Sequence, residues 1–138
     1  MNRKSVLQMM ELLIMVLVFA IITSICVRCF VHADHLSQRQ ENKASAVLVA
    51  QNAAELLKST SGNMEKVAEQ MGGFCEGDSW CMPMNASWEV IEDREQATFL
   101  LMVTREKATE LPLGTALLRV TVGEESLIEI RVAWQEAV

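Results

Sequence analysis

An uninterrupted apolar run near the N-terminus is the feature that most constrains this chain. Residues 12–27 read LLIMVLVFAIITSICV and contain no charged side chain. Beyond Arg28 the apolar character continues to Val31, so the run has about the 20 residues that a helix needs to cross the hydrocarbon core of a bilayer. The run therefore predicts a transmembrane helix over residues 12–33, with the lipid bilayer as its first partner.

The charges that flank the apolar run predict its orientation. Arg3 and Lys4 precede it, and no acidic residue occurs before Glu11. Basic residues tend to stay on the cytoplasmic side of a membrane, so residues 1–11 are expected to form a cytoplasmic basic leader and residues 34–138 an extracytoplasmic domain. A long side chain near a helix end can extend its charged group into the lipid headgroups. The residues predicted at the membrane interfaces are Arg3, Lys4 and Arg28.

The apolar run also has two alternative interpretations. The first is a secretory signal peptide that is cleaved after Val31-His32-Ala33. Against it, the run is longer than a usual signal-peptide core, Arg28 interrupts its end, and a helical pattern continues beyond it. The second is the core helix of a soluble protein, which is disfavoured because so small a domain could hardly cover every face of a helix this apolar.

Composition excludes several classes of function. The 138 residues carry a net charge of -6, and most of the acidic residues lie beyond Asp34. No stripe of Lys and Arg and no platform of aromatic residues is present, so nucleic acid is not an expected partner. The sequence contains no recognisable catalytic set and no phosphate-binding glycine loop, so we expect neither enzymatic activity nor a cofactor. The two histidines, His32 and His35, lie far along the chain from the Cys75–Cys81 segment, which disfavours a metal site.

Glu11 is the residue that a generic membrane anchor does not explain. A carboxylate at the edge of a hydrocarbon span is costly unless it lies in the headgroup layer or meets a partner. Hydration in the cytoplasmic headgroups would need no function. The alternative is that Glu11 takes part in assembly with another chain.

A basic leader, a glutamate, an unbroken apolar helix and an amphipathic extension to Ser59 together resemble the N-terminal helix of type IV pilins and type II secretion pseudopilins. This resemblance implies that a prepilin peptidase removes the leader. It also implies that Glu11 neutralises the terminal amine of a neighbouring pilin-like subunit in a filament. The sequence departs from the family at the cleavage site, where Val6 stands in the position of a glycine and Leu7 would open the mature chain.

Two functions are consistent with these features of the chain. The first is a non-enzymatic pilin-like or pseudopilin-like subunit of a membrane-associated filament or of a secretion or competence apparatus. The second is a stand-alone membrane-tethered binding or sensor module, in which Glu11 is merely interfacial. Replacement of Glu11 distinguishes them, because only the first function requires it for co-assembly.

Two helices are predicted after the membrane span. Residues 34–59 form an amphipathic stalk helix, since good helix formers dominate and neither Gly nor Pro occurs before Gly62. Residues 63–71 have apolar side chains at helical spacing and end at Gly72-Gly73, which predicts a second, short helix. The apolar residues predicted along the stalk are Leu36, Ala44, Val47, Leu48, Ala50, Ala54 and Leu57.

The C-terminal part of the chain is rich in β-forming residues. The predicted strands, which together occupy residues 88–134, are 88–92, 97–104, 115–122 and 126–134. Turn signals lie at Asp93-Arg94-Glu95, at Leu111-Pro112-Leu113-Gly114 and at Gly123-Glu124-Glu125, so the last two strands should form a hairpin. The expected fold class is α+β, with a long N-terminal helix packed on an antiparallel sheet of about four strands.

The four cysteines fall into two pairs. Cys75 and Cys81 bracket a glycine-containing loop, which predicts a disulfide in an oxidising exterior, with free thiols as the alternative. Cys26 and Cys29 are one helical turn apart in the apolar run. They are expected to pack as small apolar side chains, with acylation of Cys29 as a minor alternative.

Overall fold

The computed structural model describes residues 2–107 and 113–135. The chain divides into two compact units, residues 1–40 and residues 41–138. The helices are α1 (Arg3–Ser59) and α2 (Met64–Met71), and a short 3-10 helix spans Arg94–Gln96. The strands are β1 (Phe74–Glu76), β2 (Ser79–Met84), β3 (Phe99–Glu106), β4 (Leu113–Val122) and β5 (Glu125–Gln135).

Helix α1 includes the predicted transmembrane and stalk segments in one element of 57 residues. Its C-terminus is stabilised by two local contacts. Thr60 Oγ1 donates to the carbonyl of Leu56 at 2.8 Å, and the N–H of Gly62 donates to the carbonyl of Leu57 at 2.7 Å. Gly62 has φ +77°, a conformation that glycine adopts without strain, so α1 ends where the first glycine of the sequence occurs.

Helix α2 confirms the predicted short helix. Asn63 is its N-cap, and the side-chain oxygen of Asn63 accepts a hydrogen bond from the N–H of Lys66 at 3.1 Å. At the other end the N–H of Gly72 donates to the carbonyl of Ala68 at 2.8 Å. Val67 is the fully buried residue of α2 and contacts the core.

The sheet is antiparallel throughout, with strand order β1-β2-β3-β4-β5. It has five strands rather than the expected four, and it confirms the α+β class. The predicted hairpin of the last two strands is formed by β4 and β5, and Gly123 has φ +57° in its turn. The turn predicted before β4 is wrong at Leu113 and Gly114, which pair with β5, while Leu111 and Pro112 lie outside the described residues.

The strand predicted over residues 88–92 is wrong. Within the described residues, the segment contributes one isolated bridge, through Val90. The side-chain oxygen of Asn85 accepts hydrogen bonds from the N–H groups of Ser87 and Glu89, at 2.9 and 3.0 Å. Such local side-chain bonds compete with strand pairing and favour a turn.

The loop predicted between Cys75 and Cys81 is the β1–β2 hairpin. Glu76 pairs with Ser79 across its turn, and Gly77 has φ +61° there. The Gly77-Asp78 pair is therefore a turn signal between two short strands. This hairpin adds two strands, β1 and β2, that the sequence did not predict, so the sheet has five strands although the one predicted over residues 88–92 is absent.

The core of unit 41–138 lies between α1 and one face of the sheet. Ala46, Ala50, Ala53 and Leu57 are all 0% exposed, and their spacing of four, three and four residues places them on one stripe of the helix. Alternation along each strand directs the other buried side chains to the same core. The sheet residues of this core are Trp80, Met82, Met84, Phe99, Leu101, Val103, Ala116, Leu118, Val120, Val132 and Trp134.

The buried stripe of α1 differs from the predicted one. Ala50 and Leu57 are buried as expected, but Leu48 is 61% exposed, Leu36 is 52% exposed and Ala44 is exposed. Apolar residues that flank the buried stripe also recur at roughly helical spacing, so the sequence pattern does not separate them from the stripe. The position of the sheet determines which of them are buried. Of the predicted residues, Val47 and Ala54 are half-buried.

Candidate functional site: the apolar segment of helix α1 and Glu11

The N-terminal part of α1 presents an apolar surface on every side. Its most apolar 18-residue window has a mean hydropathy of 2.7 and contains no buried residue. Thus α1 is long and apolar enough to cross a membrane, by its length and composition. The full exposure of this window also argues against the alternative of a soluble core helix, whose apolar side chains would be covered by its own domain.

Glu11 lies at the N-terminal edge of this apolar surface and its side chain is exposed. Neighbours on a helix surface are three and four residues apart, and at Glu11 those positions hold Leu7, Gln8, Ile14 and Met15. None of these is basic. Within the described residues, Glu11 has no ion pair or hydrogen bond through its carboxylate.

The basic residues predicted at the interfaces lie at the two ends of the apolar surface. Arg3 and Lys4 are in the first turn of α1, which contains no acidic residue. Positive charges there oppose the helix dipole, so intrinsic helix stability does not account for their position. Arg28 is exposed and 17 residues beyond Glu11, about 25 Å along the helix axis. The structure therefore does not bring Glu11 and Arg28 together within one chain.

One polar side chain inside the apolar segment, Thr23, is hydrogen-bonded within its own helix. The hydroxyl of Thr23 donates to the carbonyl of Phe19 at 2.8 Å, so it needs no partner from another helix. Cys26 and Cys29 are free and exposed. Cys29 is 18 residues from Glu11, or about five helical turns, so the two side chains project from the same face of α1.

The predicted disulfide between Cys75 and Cys81 is not formed, and both thiols are free. Cys75 is paired with Trp80 and Cys81 with Phe74, so the two cysteines are offset by one position in the β1–β2 ladder. Successive side chains of a strand point to opposite faces, which places Cys75 on the Trp80 face and Cys81 on the other face. A disulfide needs both side chains to point towards each other, and this register prevents it.

The two thiols have different surroundings. Cys81 is 2% exposed, and burial raises the pKa of its thiol above the ordinary value of 9.0. Cys75 is exposed, and its sulfur donates a weak hydrogen bond to the carbonyl of Met64 at 3.5 Å. Desolvation and the nearby carboxylate of Glu65 raise the pKa of Cys75. Both cysteines are therefore protonated near neutral pH, which lowers their reactivity.

An open cleft of about 440 Å³ lies beside Cys75, between the start of α2 and the β1–β2 turn. Its charged side chains are Glu65, Asp78 and Arg105. Arg105 also lies over the indole ring of Trp134, at 5.7 Å from the ring centre. The sequence did not predict this cleft, because turn residues with no motif of their own line most of it.

Within residues 2–107 and 113–135, no group of three or more His, Cys, Asp or Glu side chains is arranged to hold a metal ion. Comparisons of the chain with protein-family models, curated proteins and solved structures find no match. The features that bear on function are therefore the apolar segment of α1, Glu11 at its edge, and the α+β unit that follows.

Proposed function

We propose that this chain is a pilin-like or pseudopilin-like subunit of a membrane-associated filament or of a secretion or competence apparatus. Its apolar helical segment would anchor it in the cell membrane, with the N-terminus in the cytoplasm and the α+β unit outside. The role is assembly, not catalysis.

The observation that carries this proposal is Glu11, a single carboxylate at the edge of an otherwise uncharged helical surface. A lone anchor gains nothing from a carboxylate there, since partial removal from water costs free energy without return. The cost is offset if a second copy brings a positive charge to the same place. In the resembling family the terminal amine of a neighbour fulfils this role.

The architecture after the span supports the same proposal. Helix α1 continues as the element whose alanine stripe packs on the antiparallel sheet. An arrangement of one N-terminal helix with an antiparallel sheet on its C-terminal part agrees with the resemblance drawn from the first 59 residues.

Replacement of Glu11 tests the proposal. Two differently tagged copies are expressed together, membranes are dissolved in mild detergent, and recovery of one copy with the other is measured. We expect Glu11→Gln to reduce recovery about tenfold, because it removes the charge-dependent part of the contact while keeping the side-chain size. Membrane insertion of the variant should remain at the level of the unmodified chain.

Glu55→Gln is the matched control, since Glu55 lies on the same helix, is exposed, and falls outside the apolar segment. It should leave recovery unchanged. If Glu11→Gln also leaves recovery unchanged, or if unmodified copies do not associate, the stand-alone tethered module is favoured and the assembly proposal is wrong.

A further inference from the structure

We propose that Lys4 of one copy is the counter-charge for Glu11 of its neighbour, and that parallel copies are displaced along the membrane normal by about seven residues. This inference rests on the proposed assembly. It replaces the terminal amine with a lysine side chain that belongs to helix α1 itself.

The spacing of the two residues supports the contact. Lys4 and Glu11 are seven residues apart, so they lie on one face of α1, rotated by only about 20° from each other. Their separation along the axis is about 10.5 Å. Both side chains tilt towards the N-terminus, so Lys4 leans away from Glu11 of its own chain, and the two residues form no ion pair in the structure.

Two other arrangements of the copies are less favourable. Parallel helices in register on this face would bring the two Glu11 carboxylates together, where like charges repel. Antiparallel helices could bring Arg28 near Glu11, but they would give the two copies opposite orientations in the membrane. A parallel displacement of seven residues places Lys4 beside Glu11 and keeps one orientation for all copies.

The apolar residues on the same face are compatible with this displacement. Met15, Val18, Ile22, Ile25 and Cys29 follow Glu11 at alternating spacings of four and three residues. They are exposed, between 48% and 70% for the four that are not cysteine. Because the pattern repeats every seven residues, a shift of seven brings Met15 opposite Ile22, and Ile22 opposite Cys29. The seam therefore stays continuous when the copies slide.

A zero-length crosslink tests the charge contact directly in membranes. A water-soluble carbodiimide condenses an amine with a carboxyl group, forming an amide while the reagent takes up water to become a urea. We expect a dimer whose peptide map joins Lys4 to Glu11. The crosslink should disappear in Lys4→Arg, which keeps the charge but cannot be coupled, and should persist in Lys58→Arg. A dimer joined instead through the terminal amine overturns the inference.

Moving the positive charge separates pairing from membrane orientation. A chain carrying Asn2→Lys together with Lys4→Asn keeps its composition and net charge, but moves the amine off α1, to the residue that precedes the helix. We expect recovery of co-purified copies to fall about tenfold, as for Glu11→Gln. A chain that carries both Lys4→Glu and Glu11→Lys exchanges the two charges, and its recovery should return to the level of the unmodified chain. Unchanged recovery after the Asn2 and Lys4 exchange overturns the inference.

The displacement itself is measured by disulfide formation. In a Cys26→Ser background, Ile22→Cys should form a disulfide with Cys29 of the neighbour when copper phenanthroline and dioxygen supply the oxidant. Ala20→Cys is the control, since residue 20 projects from the opposite face. Efficient joining of Cys29 to Cys29 with no introduced cysteine would indicate copies in register and overturn the inference.

The outcomes also separate this inference from the proposed function. If copies associate in a Glu11-dependent manner but Lys4 is neither crosslinked nor required, only the inference fails. An intact mass that lacks the first six residues has the same consequence, because Lys4 would be removed. If copies do not associate at all, both fail.

Discussion

Replacing Leu57 by alanine tests whether the buried stripe of α1 stabilises the α+β unit. Leu57 is 0% exposed and belongs to the core between α1 and the sheet. Removal of its three outer carbons costs about 2.4 kcal/mol in lost transfer free energy, at about 0.8 kcal/mol per group. The cavity left behind raises the expected loss of unfolding free energy to about 3 to 4 kcal/mol.

The assay is urea unfolding of the full chain in detergent, followed by tryptophan fluorescence. All three tryptophans of the sequence, Trp80, Trp88 and Trp134, lie in residues 41–138, so the signal reports that unit. Trp88 also stacks on Phe99, with ring centres 3.9 Å apart, so its emission depends on intact packing. With a slope of about 1.5 kcal/mol per molar urea, the midpoint should fall by about 2 to 2.7 M.

Leu48→Ala is the matched control, because it makes the same chemical change in the same helix. Leu48 is 61% exposed, so the alanine variant should lose less than about 1 kcal/mol. Helix propensity changes equally in both variants and cancels in the comparison. Equal losses at the two positions, or a loss below about 1 kcal/mol at Leu57, would refute the assignment of the stripe.

The same unfolding assay checks two further expectations. Gly114→Ala should lower the free energy of unfolding by about 1 to 3 kcal/mol, because an added Cβ would lie 2.3 Å from the ring of Trp134. Alanine in place of glycine within a strand would otherwise raise the stability, so a raised midpoint would contradict this expectation. Because burial raises the pKa of Cys81 above its unfolded value of 9.0, the stabilising contribution of the protonated thiol is present below that pH and is lost as the pH rises through the folded-state pKa. The midpoint should therefore fall on alkaline titration, and less steeply in Cys81→Ala; identical slopes would contradict the expectation.

The helical part of the fold was predictable because its signals are long and local. The absence of Gly and Pro up to Ser61 specifies one continuous helix, and Asn63 with Gly72 specifies the limits of α2. The face of α1 that packs on the sheet was less predictable. Leu48 and Leu57 have the same side chain and lie in the same helix, and only the position of the sheet makes one exposed and the other buried.

The strands show where local pattern is insufficient. Strands β3, β4 and β5 were expected within a few residues of their actual limits, because their alternation persists over many positions. Residues 88–92 have equally good β-formers but are held in a turn by the amide of Asn85. Strand β1 has three residues, too few to show a period.

The residues of the candidate site were predictable from the sequence, but the way in which the structure arranges the cysteines was not. Glu11 and the flanking basic residues are visible as charges around an apolar run. The cysteine pairing failed because a one-residue offset in strand register reverses the direction of a side chain, and sequence spacing does not determine register.

The alanines at positions 46, 50 and 53 affect which mutations the α+β unit can tolerate. A leucine or methionine in a packed interface can rotate to another conformation when its neighbour changes, but a methyl group has no alternative position. Any larger side chain on this stripe must separate the helix from the sheet, and sheet residues opposite it can compensate only by becoming smaller. In a library of random substitutions, these three small residues should therefore be among the most intolerant positions of the unit, ahead of many larger core side chains.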